Sequence, residues 1–61
     1  MIRIIVGKSE DTEAEYGSRS DAEATLLILV DDEVTSVEGY PTLNLAILAA
    51  REEGCPTEVL R

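Results

Sequence analysis

Residues 25–38, TLLILVDDEVTSVE, determine the fold that we predict for this chain. The run Thr25–Val30 is apolar without interruption, which is typical of a central strand covered on both faces. Two aspartates then mark a tight reversal, after which residues alternate with the period of a half-buried strand. We therefore expect a β-hairpin whose second strand points Val34, Ser36 and Glu38 to one face and Thr35, Val37 and Gly39 to the other.

A helix is predicted directly after the hairpin. Thr42 is a good N-cap residue, LNLAILAAREE at 43–53 is rich in helix formers, and Gly54 follows at the C′ position. The apolar residues extend around most of the helix, beyond the stripe of a little over ~100° that a helix on a small sheet needs. This width predicts an oligomer interface formed by Leu45, Leu48 and Ala49. Alternatively, the small alanines simply pack closely on the chain's own sheet.

The two ends of the chain add strands to the sheet. MIRIIV at 1–6 is short, apolar and β-branched, and predicts a strand that is buried except at Arg3. TEVLR at 57–61 predicts a short strand at a sheet edge or across a dimer. The expected fold class is α+β, a small single sheet of three to five strands packed on one C-terminal helix (β-x-β-β-α-β), and it forms a single domain over 1–61.

The segment between the first two strands, residues 8–24, is polar and acidic and contains no large aliphatic side chain. TEAEY at 12–16 alternates in a way that suits an edge strand, while a short acidic helix beginning at Ser9 fits the same residues. GSRSD at 17–21 has the composition of a turn or loop. The sequence leaves the choice between strand and helix open.

The length of 61 residues limits the core that one copy can build. A chain this short buries only about 60% of the surface that its unfolded form exposes. Cys55 is the single cysteine, so no disulfide within the chain compensates, and the absence of histidine removes the common zinc sites. We therefore expect a homo-oligomer, most simply a homodimer. The lone thiol, and the lack of a long apolar run or signal peptide, predict a soluble cytoplasmic protein.

Two stretches resemble phosphoryl-transfer motifs. IIVGKSED at 4–11 resembles the Gly-Lys-Ser of a phosphate loop, and LLILVDDE at 26–33 resembles the acidic strand of receiver domains and of P-loop ATPases. The first stretch lacks the upstream glycine and is followed by acids that would repel a polyphosphate. The second lacks a later aspartate strand and a distal lysine. We therefore interpret Asp31, Asp32 and Glu33 as turn residues, with weak Mg²⁺ or Ca²⁺ binding as a minor alternative.

No residue pattern favours catalysis. The carboxylates fall on predicted turns, loops and helix ends, outside the apolar sequence that usually surrounds a catalytic acid. The serines have no histidine to act as a base, and Cys55 lies in a predicted turn. We predict that the protein is not an enzyme and uses no cofactor and no metal.

The net charge of −8, from 13 acidic and five basic residues, indicates the class of partner. Direct binding to nucleic acid or to an anionic membrane needs clustered lysine and arginine, and is disfavoured here. We predict instead another protein with a basic surface as the partner. The predicted acidic binding face consists of Glu10, Asp11, Glu13, Glu15, Asp31, Asp32 and Glu33.

In size and charge the chain resembles the small acidic proteins with which phages and mobile elements imitate the charge of nucleic acid. The resemblance implies a non-catalytic inhibitor that acts as a DNA mimic and blocks a basic site on a host protein. The alternative is an oligomeric structural or regulatory subunit, or a protein that sequesters a small ligand. In that case the acidity only gives solubility, as it does in proteins from salt-adapted sources.

Overall fold

The computed structural model describes all residues, 1–61, and contains six elements in the order β–α–β–β–α–β. The elements are β1 (Ile2–Lys8), α1 (Ser9–Tyr16), β2 (Ala24–Val30), β3 (Glu33–Tyr40), α2 (Leu43–Glu53) and β4 (Thr57–Val59). They form one four-stranded sheet in the order β3-β2-β1-β4. The sheet is mixed, because β1 pairs antiparallel with β2 and parallel with β4. The predicted α+β class and strand number are confirmed.

The prediction of one C-terminal helix needs correction on two points. The acidic segment forms a second helix, α1, so two helices accompany the sheet. Moreover, α2 is followed by β4, the predicted closing strand, which lies at a sheet edge beside β1. The predicted bounds and caps of α2 are confirmed, since the Thr42 hydroxyl accepts from the Leu45 N–H and Gly54 ends the helix at φ 70°.

The hairpin closes at Asp31 and Asp32, whose φ values of 52° and 67° both lie in the left-handed region. Two such residues in succession match the twist of the flanking strands. The predicted alternation along β3 is confirmed from Ser36 to Gly39 and is wrong at Val34, because a bulge shifts the register between Ile28 and Leu29. Val34 pairs with Leu29 and Val37 with Leu27, so the extra residue brings the two valines to the same face of the sheet.

The face of the sheet toward α2 carries the larger aliphatic core. It consists of the buried residues Ile4, Val6, Ala24, Leu26, Ala46 and Ala50. The two alanines of α2 are wholly buried, which lets the helix approach the sheet closely. Half-buried neighbours, among them Tyr40 and Ile47, surround this layer.

The opposite face, toward α1, has a smaller apolar core. Ile5, Leu27 and Leu29 are buried there, and Tyr16, Val34 and Leu60 pack against them. Gly7 lies beneath Leu60, where an added Cβ would be 2.9 Å from the Leu60 Cβ. The central strand β2 is therefore covered on both faces, as predicted. In β1 the half-exposed positions include Ile2 as well as Arg3, so the strand is less buried than predicted.

One copy of the chain is compact by itself. Its accessible surface is 3840 Å² for a mass of 6.6 kDa, close to the roughly 3,900 Å² expected of a monomeric globular protein of that mass. The argument for assembly therefore depends on which apolar side chains remain in water, and Leu45 and Leu48 of α2 are among these. Neither helix is long and apolar enough to cross a membrane.

Candidate protein-interaction surface

Helix α1 is positioned by three residues that point toward the sheet. Ser9 and Thr12 are buried and Tyr16 is half-buried, at the i, i+3, i+7 spacing of one helix face. Lys8 precedes the helix without a side-chain cap, and Gly17 ends it at φ 72° with its N–H donating to the Glu13 carbonyl. The strand-like alternation of TEAEY has no structural counterpart, because Ala14 is exposed.

A buried network of hydroxyl groups fixes α1 and the following loop, residues 17–23, to the sheet. Ser9 Oγ donates to the Ala22 carbonyl, and it lies 2.7 Å from Thr25 Oγ1 of β2. Because Ser9 has one hydroxyl proton and uses it on Ala22, Thr25 donates to Ser9. Thr25 Oγ1 in turn accepts from the Ser20 N–H at 3.0 Å. Every hydroxyl of this buried cluster is thus satisfied.

Glycine 39 of β3 makes room for this loop. An added Cβ there would lie 2.9 Å from Ser20 Oγ and 3.0 Å from the Ala22 Cβ. Gly39 pairs with Thr25 across the strands, so the loop, the hydroxyl network and β3 meet at one point on the α1 side. The underside of α1 is therefore held in place by polar contacts and close packing.

The outer side of α1 carries four carboxylates. Glu10, Glu13 and Glu15 are exposed and Asp11 is half-buried. The protein has two ion pairs, and neither involves α1. The four carboxylates are therefore free of a cationic partner within the chain.

The charge pattern of α1 is favourable in its first turn and unfavourable after it. Glu10 and Asp11 lie near the N-terminus, where the helix dipole favours anions, whereas Glu13 and Glu15 lie near the C-terminal end, where it disfavours them. Asp11 and Glu15 are also like charges at i, i+4. Each of these effects is worth a few tenths of a kcal/mol. Eight residues are also too few for a helix that is stable in isolation. Local stability thus accounts for Glu10 and Asp11 but not for Glu13 and Glu15.

The structure divides the predicted acidic face into two groups. Asp31, Asp32 and Glu33 lie at the hairpin end of the β1–β2 ladder, whereas α1 begins at its opposite end, after Lys8. Asp31 accepts from the N-terminal ammonium group at 2.7 Å, and Asp32 is 3.3 Å from Arg3. Both aspartates are more than 80% exposed, so these pairs add little to stability. They do reduce the negative charge of the turn. Of the five carboxylates in the predicted face that remain unpaired, four lie on α1 and the fifth is Glu33.

A second surface lies on α2, on the other face of the sheet. Leu45 and Leu48 are 46% and 54% exposed. Ala49 of α2, the third residue of the predicted oligomer interface, is half-buried and packs against the aliphatic core between α2 and the sheet. The sequence placed all three together, but the structure leaves only the two leucines on the outer side.

The largest depression, of about 440 Å³, is lined by Lys8, Glu10, Asp11, Leu43, Leu60 and Arg61. No three carboxylate or thiol groups are arranged to hold a metal ion. Partial burial, together with the charge of Glu38 and its hydrogen bond, raises the pKa of Tyr40, which makes this phenol a weaker acid.

No protein-family model, curated protein or solved structure matches the chain.

Proposed function

We propose that the protein is a non-catalytic interaction module that presents α1 to a basic surface on another protein. It blocks that surface by imitating the charge of nucleic acid. The observation that carries the proposal is the set of four carboxylates on α1, none of which has a cationic partner in the chain. Because Glu13 and Glu15 lie where they weaken the helix that bears them, a role outside the fold accounts for these two better.

The linear charge density of α1 supports this imitation. Residues 10–15 carry four acids over about 8–9 Å of helix axis, at 1.5 Å of rise per residue, which is about one charge per 2 Å. Duplex DNA carries one charge per ~1.7 Å of its axis. A groove lined by lysine and arginine therefore meets similar charge spacing in both ligands.

Rigidity of the underside supports the same function. The hydroxyl network between Ser9, Ser20 and Thr25 orders the helix before the partner arrives. Less ordering entropy is then lost on binding, and the carboxylates also steer the encounter electrostatically. The single free thiol, Cys55, suits a reducing compartment, and we propose that the encounter takes place in the cytoplasm.

The experiment starts from capture by the immobilised chain in a nuclease-treated lysate. Short duplex DNA is then used as the eluent, because it displaces only partners whose nucleic-acid site is occupied. For each purified partner we expect the Kd to weaken by about 10²-fold between 50 and 200 mM salt, as four phosphate-like contacts would predict. Capture that neither duplex DNA nor salt reverses contradicts the proposal.

Two variants with the same change in net charge test whether position matters. The first neutralises α1 and carries Glu10→Gln, Asp11→Asn, Glu13→Gln and Glu15→Gln. The control neutralises four acids elsewhere and carries Glu38→Gln, Glu52→Gln, Glu53→Gln and Glu58→Gln. We expect the first to lose capture and the control to retain it, with the fold of both checked by circular dichroism. Equal losses would show that total charge matters and that α1 is not the binding face.

The exposed leucines of α2 favour a second candidate function, an oligomeric structural or regulatory subunit or a small-ligand sequestering protein. Here the acids only give solubility and the active surface is the outer side of α2. The α1 variant would then keep full function, whereas Leu48→Asp would abolish assembly and function together. The α1 variant and Leu48→Asp are therefore expected to give opposite results under the two candidate functions.

A further inference from the structure

The outer side of α2 carries a short stripe that combines apolar surface with one charge. Leu45, Leu48 and Glu52 are exposed at the i, i+3, i+7 spacing of one helix face. The two leucines together leave about as much surface in water as one fully exposed leucine. The inward residues Ala46 and Ala50 are wholly buried, so the stripe faces away from the chain's own sheet.

Two of the three charges of α2 lie where its dipole disfavours them. The first turn contains no acid, and Glu52 and Glu53 lie at the C-terminal end, where Arg51 is the one favourably placed charge. Thr42 satisfies two of the first four backbone N–H groups, accepting from Leu45 through its hydroxyl and from Ala46 through its carbonyl. The N–H groups of Leu43 and Asn44 have no acceptor within the helix. One copy therefore has an uncompensated positive end and a misplaced carboxylate on the same helix.

We propose that two copies of this chain pair through their α2 helices, antiparallel, about a two-fold axis that passes between Leu45 and Leu48. Leu45 then packs against the partner's Leu48, and Leu48 against the partner's Leu45. Residues equally far from the axis also meet, which brings Glu52 beside the partner's Pro41, directly before Thr42 and the positive end of that helix. The same contact buries both leucines and compensates both helix ends.

The stripe complements a second copy of itself, because it supplies both members of each contact. Leucine meets leucine, and a carboxylate meets a helix N-terminus, so a second copy of the chain provides every group that the contact needs. Helix α1 lies on the other face of the sheet, so the dimer leaves both acidic helices on its outer surfaces. The dimer stands independently of the function proposed for α1.

The interface is small, which sets the expected affinity. A stable dimer usually buries about 800 Å² per partner, and one helix of 11 residues covers less than this. The net charge of −8 on each copy also opposes association. We expect a Kd on the order of 10–100 µM.

Sedimentation equilibrium of the full chain over about 10 µM to 1 mM spans that range. We expect the wild-type chain to dimerise and Leu48→Glu to weaken the dimer by at least about tenfold, because each dimer loses two leucine contacts. Val37→Glu is the matched control, since Val37 is 43% exposed and lies on β3 at the α1 face. The control should dimerise like the wild type. A wild-type monomer at 1 mM, or equal effects of the two variants, would overturn the proposal.

A charge reversal separates this antiparallel dimer from any other contact through the leucines. Glu52→Lys improves the charge of the isolated helix and lowers the net repulsion, so on those grounds it would strengthen a dimer. In the antiparallel pair it places a cation at the partner's helix N-terminus, and we expect the dimer to weaken by about three- to thirtyfold. Glu15→Lys is the control, with the same charge change next to the last residue of α1. A dimer of Glu52→Lys at least as tight as that of Glu15→Lys would refute the arrangement.

Discussion

The two helices cover opposite faces of one sheet by different chemistry. Helix α2 contributes two wholly buried alanines to an aliphatic layer. Helix α1 contributes two buried hydroxyl side chains, Ser9 and Thr12, and a half-buried tyrosine. Apolar burial is non-directional and grows with area, whereas a hydrogen bond adds only about 0.5–1.5 kcal/mol net.

This difference determines what each outer surface is free to do. Helix α1 depends on a few directional bonds on its underside, so its outer positions carry no packing requirement and accept four acids at a small cost. Helix α2 fits its sheet through small residues, and its large leucines are left outside. The α1 side is thus expected to open more easily, while the α2 side holds the fold together.

The largest effect is expected from Leu26→Ala on the α2 side. Leu26 is 2% exposed and packs in the layer with Ala46 and Ala50. Its truncation should cost about 2–5 kcal/mol, a large part of the about 3–9 kcal/mol expected for a chain of this length. Urea unfolding followed by circular dichroism should show both helices lost in one transition. Leu48→Ala, at a 54% exposed position of the same helix, should change the stability of the monomer by less than about 0.5 kcal/mol.

Thr25→Val tests the polar side. The substitution keeps the shape of the side chain and removes the hydroxyl that links Ser9 and Ser20, leaving buried partners unsatisfied at a cost of about 1–3 kcal/mol. Hydrogen exchange should rise in α1 and the 17–23 loop before it rises in α2. Thr35→Val is the control, because its hydroxyl bond to the Ile28 carbonyl is exposed. Equal exchange gains in both helices would contradict the difference between the two sides.

Gly39→Ala tests the same junction by steric means and should have a smaller effect. The new Cβ would approach Ser20 Oγ to 2.9 Å, so the loop must shift, at a cost of about 1 kcal/mol after the lower backbone entropy of alanine is counted. We expect local exchange gains in residues 17–23, with α2 unchanged. Ser36→Ala, on the opposite face of the same strand, should leave both helices as they are. Full protection of the loop in Gly39→Ala would show that the close contact is not what fixes it.

Most of the α2 side could be predicted from the sequence. The uninterrupted apolar run of β2 and the Thr42 and Gly54 caps of α2 carry local signals that survive in the folded chain. Helix α1 could not be assigned, because its buried face consists of hydroxyl groups and apolar periodicity does not detect these. The i, i+3, i+7 spacing of Ser9, Thr12 and Tyr16 was the available signal. The β3 bulge has no evident signal in the sequence.

The sequence predicts that the protein has one acidic and one apolar surface, but it predicts only some of the residues that share each surface. The acids of α1 share an exposed side, but pairing of Ile2 with Val30 brings the hairpin turn next to the N-terminus and Arg3. Strand register is a long-range property, so the ion pairs of Asp31 and Asp32 could not be predicted from their neighbours in the sequence. The spacing of Glu52 from Leu45 and Leu48, by contrast, is visible in the sequence and already places it on their stripe.

Tyr40→Phe is expected to have the smallest effect, confined to alkaline pH. The Tyr40 hydroxyl donates to Glu38 at 3.2 Å, and partial burial followed by the charges of Glu38, Glu53 and Glu52 raises the pKa of this phenol. The folded state therefore holds the proton more firmly than the unfolded state, whose tyrosine pKa is about 10. Stability must then fall as pH rises above about 10, because the unfolded state releases the proton first.

Urea unfolding at a series of pH values around 10 checks the sign of this effect. Tyr40→Phe should lose less stability than the wild type on the alkaline side, because phenylalanine has no proton to release. Tyr16→Phe, on the α1 side, retains Tyr40 and should keep the alkaline loss. If the two variants lose stability alike, the acidic surroundings of Tyr40 do not distinguish the α2 side from the α1 side. The alkaline loss would then belong to the charge of the whole molecule, which rises in magnitude on both faces alike as basic groups lose their protons.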